Sequence, residues 1–413
     1  MTGERLDERG PGLVAVAALV SSTLLCWIGV ARYGRGEYGN YDLGIFLQAA
    51  DSWTARGYPY SELKGINLLG DHFSPVTLVF AAAHALWPDP RSLILAQALC
   101  LGALVGCVVW AAGRAGLSPG LSAVVATVAT LCLPVIAAAG FQVHETALGA
   151  PVVAVLAWSV WQRSLLPAVV SALLLLTVKE DLGLMVVGAA IAWFHLHRDR
   201  RTALWLAAIG SSGFVLSNLV IVLVNPGHQS PYLKYLTGGA SGGGGGWTAQ
   251  EVAARAIPWI VYALLCGLRL SPLHLMALPS LAWRSLSSNE LYWSVHLHYD
   301  VITAPIALVG TSSGANIATV AAMADAARRP ASPLRGLGLL VPSVLLTRVP
   351  DGEAALRVRR QQLRGYLGEL ALDDPWASPG VLPRIAGLPP TFAAIASADE
   401  DRAAAVLIGD RPK

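Results

Sequence analysis

Charge is scarce in this 413-residue chain: 13% of its residues are Asp, Glu, Lys or Arg, against 54% apolar. A soluble domain carries about 25% charged residues, so this composition, with a mean hydropathy of +0.55, excludes an ordinary soluble protein and makes the bilayer its solvent. Lysine is nearly absent, so arginine supplies almost all the positive charge, and the net charge of +3 says little until the charges are placed along the chain. The cysteines Cys26, Cys100, Cys107, Cys132 and Cys266 all lie in apolar runs, with no CxxC and no Cys/His ligand spacing. They offer neither a disulfide framework nor a zinc site. No small-x-small cleavage site precedes Arg32, so the apolar run 11–31 reads as a retained first span rather than a removed signal peptide. There is no long internal repeat, and nothing implies a nucleic-acid partner.

What is there is a succession of apolar runs. Measured against about 20 residues per span, about nine fit before residue 300, near 12–31, 92–112, 118–138, 147–161, 164–178, 182–196, 203–224, 257–270 and 272–287. The run 74–88 is shorter and ends in Trp87-Pro88-Asp89-Pro90, so it is either a span or a helix lying at the surface. If it does not cross, Arg114, Arg163 and the cluster His197-Arg198-Asp199-Arg200-Arg201 share one side with the charged N-terminus, the pattern of a cytoplasmic face. Arg32 and Arg35 then fall on the outer side, against the rule. Loop 225–256 contains five consecutive glycines ending at Gly246, the composition of a flexible tether.

That topology gathers the histidine and carboxylate clusters at the outer face. Asp42 follows the first span in YDLGIFLQ; GDHFSP supplies His72; FQVHET supplies His144 and Glu145; and LLTVKEDLGL supplies Lys179, Glu180 and Asp181. A carboxylate here suits a general base taking a proton from an acceptor hydroxyl, with histidines or arginines neutralising a leaving phosphate and His72 or Lys179 placed to contact it. The plainer alternatives are a helix-capping Asp42 in a solvated loop and a water-exposed turn at 179–181. In NELYWSVHLHYD, Tyr292, Trp293 and Tyr299 read as interfacial anchors. His296 and His298 share one face only if the backbone is extended, and as a metal pair they are a weak candidate.

The order YDLGIFLQ, HFSP, LAQAL, FQVHETALGAP, TVKEDLGL, YLKYL and HLHYD resembles the membrane family called domain of unknown function 2079, over residues 1–306. That family is similar to the GT-C glycosyltransferases, which move a sugar from a polyprenyl-phosphate carrier to an acceptor outside the membrane. The resemblance implies Asp42 as catalytic base, with His72, His144, Glu145, Lys179, Glu180 and Asp181 binding the donor. It implies an inverting transfer in which a divalent cation is optional and no other cofactor is called for.

The texture changes after residue 307, where apolar stretches shorten and Arg, Asp, Glu and Pro become frequent. Gly310-Thr311-Ser312-Ser313-Gly314, followed by GLGLLVPSVLL, DDPWASPG and AGLPPTFAAIASADED, resembles the nucleophile elbow and following strands of hormone-sensitive-lipase-like α/β-hydrolases. The resemblance implies Ser312 as nucleophile and Asp399, with Asp401 next, as triad acid. No HGGG-type oxyanion stretch precedes the elbow and no histidine follows His298, so a Ser-His-Asp triad cannot close within the segment.

The expected architecture is therefore an all-α, GT-C-like, multi-pass membrane domain (1–306) followed by a partial α/β segment (307–413). Its N-terminus is placed in the cytoplasm and its C-terminal segment outside. The expected function is sugar transfer from a polyprenyl-phosphate donor to an envelope acceptor at the outer face. The alternatives are a non-catalytic carrier or envelope-assembly partner and a membrane-tethered esterase-like protein with an incomplete triad.

Overall fold

The computed structural model describes residues 10–38, 41–114, 117, 119–231, 247–266, 271–310, 337–339 and 391–393. Contacts divide the chain into two units, one of Met1–Leu265 with Leu270–Gly310, the other of Cys266–Arg269 with Thr311–Lys413.

The first unit is helical: α1 (Gly10–Gly34), α2 (Tyr41–Arg56), α3 (Leu78–Leu86), α4 (Arg91–Arg114), α5 (Pro119–Leu131), α6 (Leu133–Gly140), α7 (Glu145–Gln162), α8 (Leu165–Leu175), α9 (Leu182–His197), α10 (Arg200–Val224), α11 (Ala249–Leu265), α12 (Leu278–Leu286) and α13 (Ala304–Gly310). Between α2 and α3, strands β1 (Tyr60–Ser61) and β2 (Ile66–Asn67) form a small antiparallel hairpin.

Helix α4 is the axis, with 72% of its apolar window buried inside the protein, whereas α1 and α10 bury only 22% and offer their remaining surface to lipid. Close approach of α1 to α4 depends on Gly102, where a Cβ would lie 1.9 Å from Ser22 Oγ and 2.5 Å from the Ala18 carbonyl oxygen. In lipid, small residues of this kind let helix backbones pack by van der Waals contact without a hydrophobic drive. Gly183 of α9 and Gly210 of α10 do the same reciprocally, each Cβ position falling within 2.7 Å of the other's carbonyl oxygen. The α9–α10 turn is tight: Arg198 ends α9 in the left-handed conformation (φ 56°), and the Asp199 side chain accepts from Thr202 N to cap α10.

Among the described residues three helices, Pro11–Gly34, Arg91–Arg114 and Arg200–Val224, are long and apolar enough to cross a membrane, or four crossings if Pro119–Leu131 and Leu133–Gly140, bent by 48°, form one broken span. By length and apolar composition the described helices thus supply three or four of the nine expected spans. Run 164–178 becomes the 11-residue α8, about 16 Å long. Run 182–196 becomes the 16-residue α9, and 147–161 lies in the 18-residue α7, which carries Glu145 in its first turn and Pro151 inside. Run 257–270 is shifted to the earlier α11, and 272–287 is no span: it divides into a 3-10 turn (Pro272–Met276) and the nine-residue α12. Run 182–196 is largely packed on other helices, whereas α8 keeps Leu165, Leu166, Leu173 and Leu174 exposed and is short of a span in length. The glycine run of loop 225–256 lies outside the described residues.

In the second unit, β3 (Leu337–Leu339) pairs in parallel with β4 (Thr391–Ala393), Leu337 opposite Thr391. Both strands fall in the stretches read as hydrolase-like, and a parallel pair so far apart in sequence requires a crossover connection. Ser312, Asp399 and Asp401 lie outside the described residues.

Candidate functional site

The site is built at one end of the bundle, where two glutamines buried among apolar helices fix the loop that carries His144. Gln97 of α4 donates to the carbonyls of Ala138 and Gln142 (both 3.1 Å) and accepts from His144 N (2.8 Å). The Gln142 side chain in turn accepts from the first backbone amides of α2, Asp42 N at 2.8 Å and Leu43 N at 3.1 Å. A glutamine is costly in such surroundings unless bonded, and here the bonds set two loops against each other. Asp42 is thus in the first turn of α2, capped by Gln142 rather than being the cap itself.

From that frame the charged groups form a chain. Asp42 Oδ2 is 3.2 Å from His144 Nε2, His144 Nδ1 is 3.4 Å from Glu145 Oε2, and Glu145 Oε1 is 3.2 Å from Lys179 Nζ. Asp42 Oδ1 has no hydrogen bond among the described residues and its side chain is one-quarter exposed. Burial opposes charge on His144, but hydrogen bonding and attraction from Asp42 and Glu145 prevail and its pKa is raised. Burial likewise opposes charge on Lys179, but Glu145, Asp181 and Glu180 surround it and hold it protonated.

His72 Nδ1 meets Glu180 Oε1 at 2.8 Å, and Glu180 Oε2 also accepts from Phe73 N. Burial raises the Glu180 carboxyl pKa, but the attraction of His72 and Lys179 outweighs it and the result is lowered. Asp181 accepts from Trp283 Nε1 at 2.9 Å, and burial pushes its carboxyl up. In the triplet 179–181 Lys179 is buried, Glu180 and Asp181 are half-buried, and all three have partners, so it is not a turn in water.

Residues 289–300 close the other side. They form 3-10 turns rather than an extended strand, and Tyr292 and Trp293 are buried rather than interfacial anchors. Trp293 stacks on the buried Arg255, whose guanidinium carbon lies 3.9 Å from the ring centre. Arg284 Nη1 binds Asp300 Oδ1 at 2.5 Å and Arg284 Nε donates to the Tyr292 carbonyl, pinning both ends of the segment. This brings the His298 ring face to face with His144, centroids 3.3 Å apart and planes at 14°. Burial, with His144, Lys179 and Arg284 nearby, drives the His298 pKa well below its usual value. Burial also pushes Tyr299 up to about 12.

These groups surround a cavity of ≈ 330 Å³. Asp42, His72, His144, Glu145 and Lys179 line it, with Ile45, Phe46, Leu68 and Leu297 among its apolar wall, while Glu180 and Asp181 stand behind. The Lys64–Asp71 ion pair also lines it. All seven sequence candidates before residue 300 therefore converge; His296 does not line the cavity. Among the described residues no three His, Cys, Asp or Glu side chains are placed to hold a metal ion. Sequence reasoning gave His298 a weak metal role and passed over Ser74, Gln97 and Gln142; an uncharged glutamine inside LAQAL or FQVHET was the available signal for the frame.

No curated protein and no solved structure matches the chain. Two families do: residues 37–240 match the one described as a predicted membrane protein (DUF2079), and residues 279–408 match the α/β hydrolase fold.

Proposed function

We propose that the membrane unit transfers a sugar from a polyprenyl-phosphate donor to an acceptor hydroxyl at the outer face, with Asp42 as the general base. The observation that carries the reading is the position of Asp42: Oδ2 is held by His144 while Oδ1 stays free in a cavity lined by Lys179 and His72. Asp42 Oδ1 takes the proton of the acceptor hydroxyl as its oxygen bonds to the anomeric carbon, and the bond from that carbon to the phosphate oxygen breaks. The departing lipid phosphate keeps the electron pair, and Lys179 and His72 stabilise its negative charge. The apolar wall accommodates the first isoprene units.

The orientation follows the arginines. Arg163 pairs with Asp199 at 4.0 Å, and Arg198, Arg200 and Arg201 cluster at the ends of α7, α9 and α10 farthest from Glu145 and Lys179. With those ends in the cytoplasm, the cavity opens on the outer side. The acids lie at helix ends rather than within spans, which favours a transferase over a carrier.

The test is transfer of radiolabelled sugar from polyprenyl-phosphate donors in membranes bearing wild-type protein, Asp42→Ala or Ser312→Ala. Transfer that is lost with Asp42→Ala and retained with Ser312→Ala supports the reading. Absence of transfer by folded, inserted wild-type protein from every donor overturns it.

A further inference from the structure

Two side chains in the cavity wall stand apart from the charge network. His298 is 2% exposed, and among the described residues neither Nδ1 nor Nε2 has a hydrogen-bond partner. Ser74 is 5% exposed, and its Oγ is likewise unbonded. The other buried, unbonded polar atoms of the lining are His144 Nδ1 and Glu145 Oε1, and both belong to ion pairs. Leaving a buried polar group unpaired is costly, and two such groups facing one cavity point to a ligand that completes them.

Their chemistry defines that ligand. Lysine only donates and a carboxylate only accepts, whereas a neutral imidazole offers one donor and one acceptor and a hydroxyl does both. His298 is kept neutral by its surroundings: protonating it would set a second positive charge 3.3 Å from the His144 ring and close to Lys179. An anionic phosphate gains most from the charged donor Lys179, with His72 beside it in the lining. A polyol, with hydroxyls that both donate and accept, matches His298 and Ser74.

We propose that His298 and Ser74 form the sugar-binding half of the cavity, gripping neutral hydroxyls of the ligand, distinct from the cationic half that takes the phosphate. The assignment rests on the transferase reading for its ligand and adds which residues recognise the glycosyl group. His298 is supplied by residues 279–310, outside the membrane-family match, so the sugar subsite is completed by a segment that the match does not cover.

The experiment compares binding of two probes to full-length protein in nanodiscs: a polyprenyl phosphate, and the same lipid phosphate carrying a hexosyl group. Wild type should bind the glycosylated lipid more tightly by about tenfold, the worth of one to two hydrogen bonds. His298→Phe keeps the ring stacked on His144 but removes both nitrogens; it should cut the ratio several-fold, toward the share that Ser74 alone supplies, with bare lipid phosphate still bound. Ser74→Ala should narrow the ratio in the same direction, and His298→Gln, which donates and accepts, should restore part of it. A ratio unchanged in His298→Phe and Ser74→Ala, with both lipids still bound, overturns the sugar subsite and leaves the lipid-phosphate reading standing. Failure of folded wild type to bind either lipid overturns both.

Discussion

Replacing Lys179 by methionine isolates the energetics of the buried charge chain. Its ammonium lies 3.2 Å from Glu145 Oε1, with the side chains 7% and 2% exposed. At an effective dielectric constant of about 20 the attraction at that distance is about 5 kcal/mol, and removing one partner of a buried pair typically costs about 3–5 kcal/mol because the other charge stays behind. Glu145 would retain only His144 Nδ1, at 3.4 Å. At roughly 2 °C per kcal/mol for a unit of this size, Lys179→Met should lower the melting temperature in detergent by about 6–10 °C, followed by tryptophan fluorescence. The double variant Lys179→Met/Glu145→Gln removes the orphaned charge and should recover more than half of that loss, a strongly non-additive result. A single variant melting within about 1 °C of wild type, beyond the scatter of exposed ion pairs, would refute the reasoning, as would a double variant less stable than either single one.

The raised pKa of His144 fixes a sign: its protonated form contributes stability in full below the unfolded value of 6.5, and that contribution is lost as pH rises through the higher folded value. The melting-temperature difference between wild type and His144→Gln should therefore be largest and flat on the acid side and shrink as pH rises; a difference that grows with pH would contradict the His144–Asp42 pair. Gln142→Ala removes the acceptor shared by Asp42 N and Leu43 N and should cost about 1–3 kcal/mol. It should also reduce turnover more than lipid binding, since Asp42 loses its anchor; equal losses in both would mean that Gln142 acts only on stability. Gly102→Val drives a side chain into Ser22 and the Ala18 carbonyl and should destabilise the α1–α4 pair by at least about 1–3 kcal/mol, read as a lower melting temperature, whereas Gly113→Val, with nothing within 4 Å of its Cβ position, should leave it nearly unchanged.

Sequence alone located the acids, histidines and Lys179 because charges confined between apolar runs are rare and expensive, so each one draws attention. It left the state of 179–181 open between a turn in water and a cavity wall, since nothing in KED tells whether water or Glu145, His72 and Trp283 will be the partner. The span count was hard to read for a related reason: α9 has the composition of a lipid-crossing run but is largely buried by neighbouring helices, whereas α8 keeps Leu165, Leu166, Leu173 and Leu174 exposed and is short of a span only in length. His298 was undervalued because its significance lies in a stack with His144, a contact across 154 positions of chain that no local pattern encodes. His296 and His298 would share a face only on an extended backbone, and Asn289 and the Arg284–Asp300 pair hold the segment in 3-10 turns.

The residues from 279 to 310 match a hydrolase family by sequence, yet contacts place them within the same unit as the membrane helices. Arg284, Tyr292, His298 and Asp300 are all on this stretch, and His298 presses against a ring from α7's leading edge. For anyone cutting or recombining the chain, the seam in ancestry and the seam in architecture are therefore different places. A shortened protein ending before residue 279 would look intact as a family member and yet lack a wall of its cavity, whereas one ending after residue 310 would keep that wall, and the two truncations should not be treated as interchangeable.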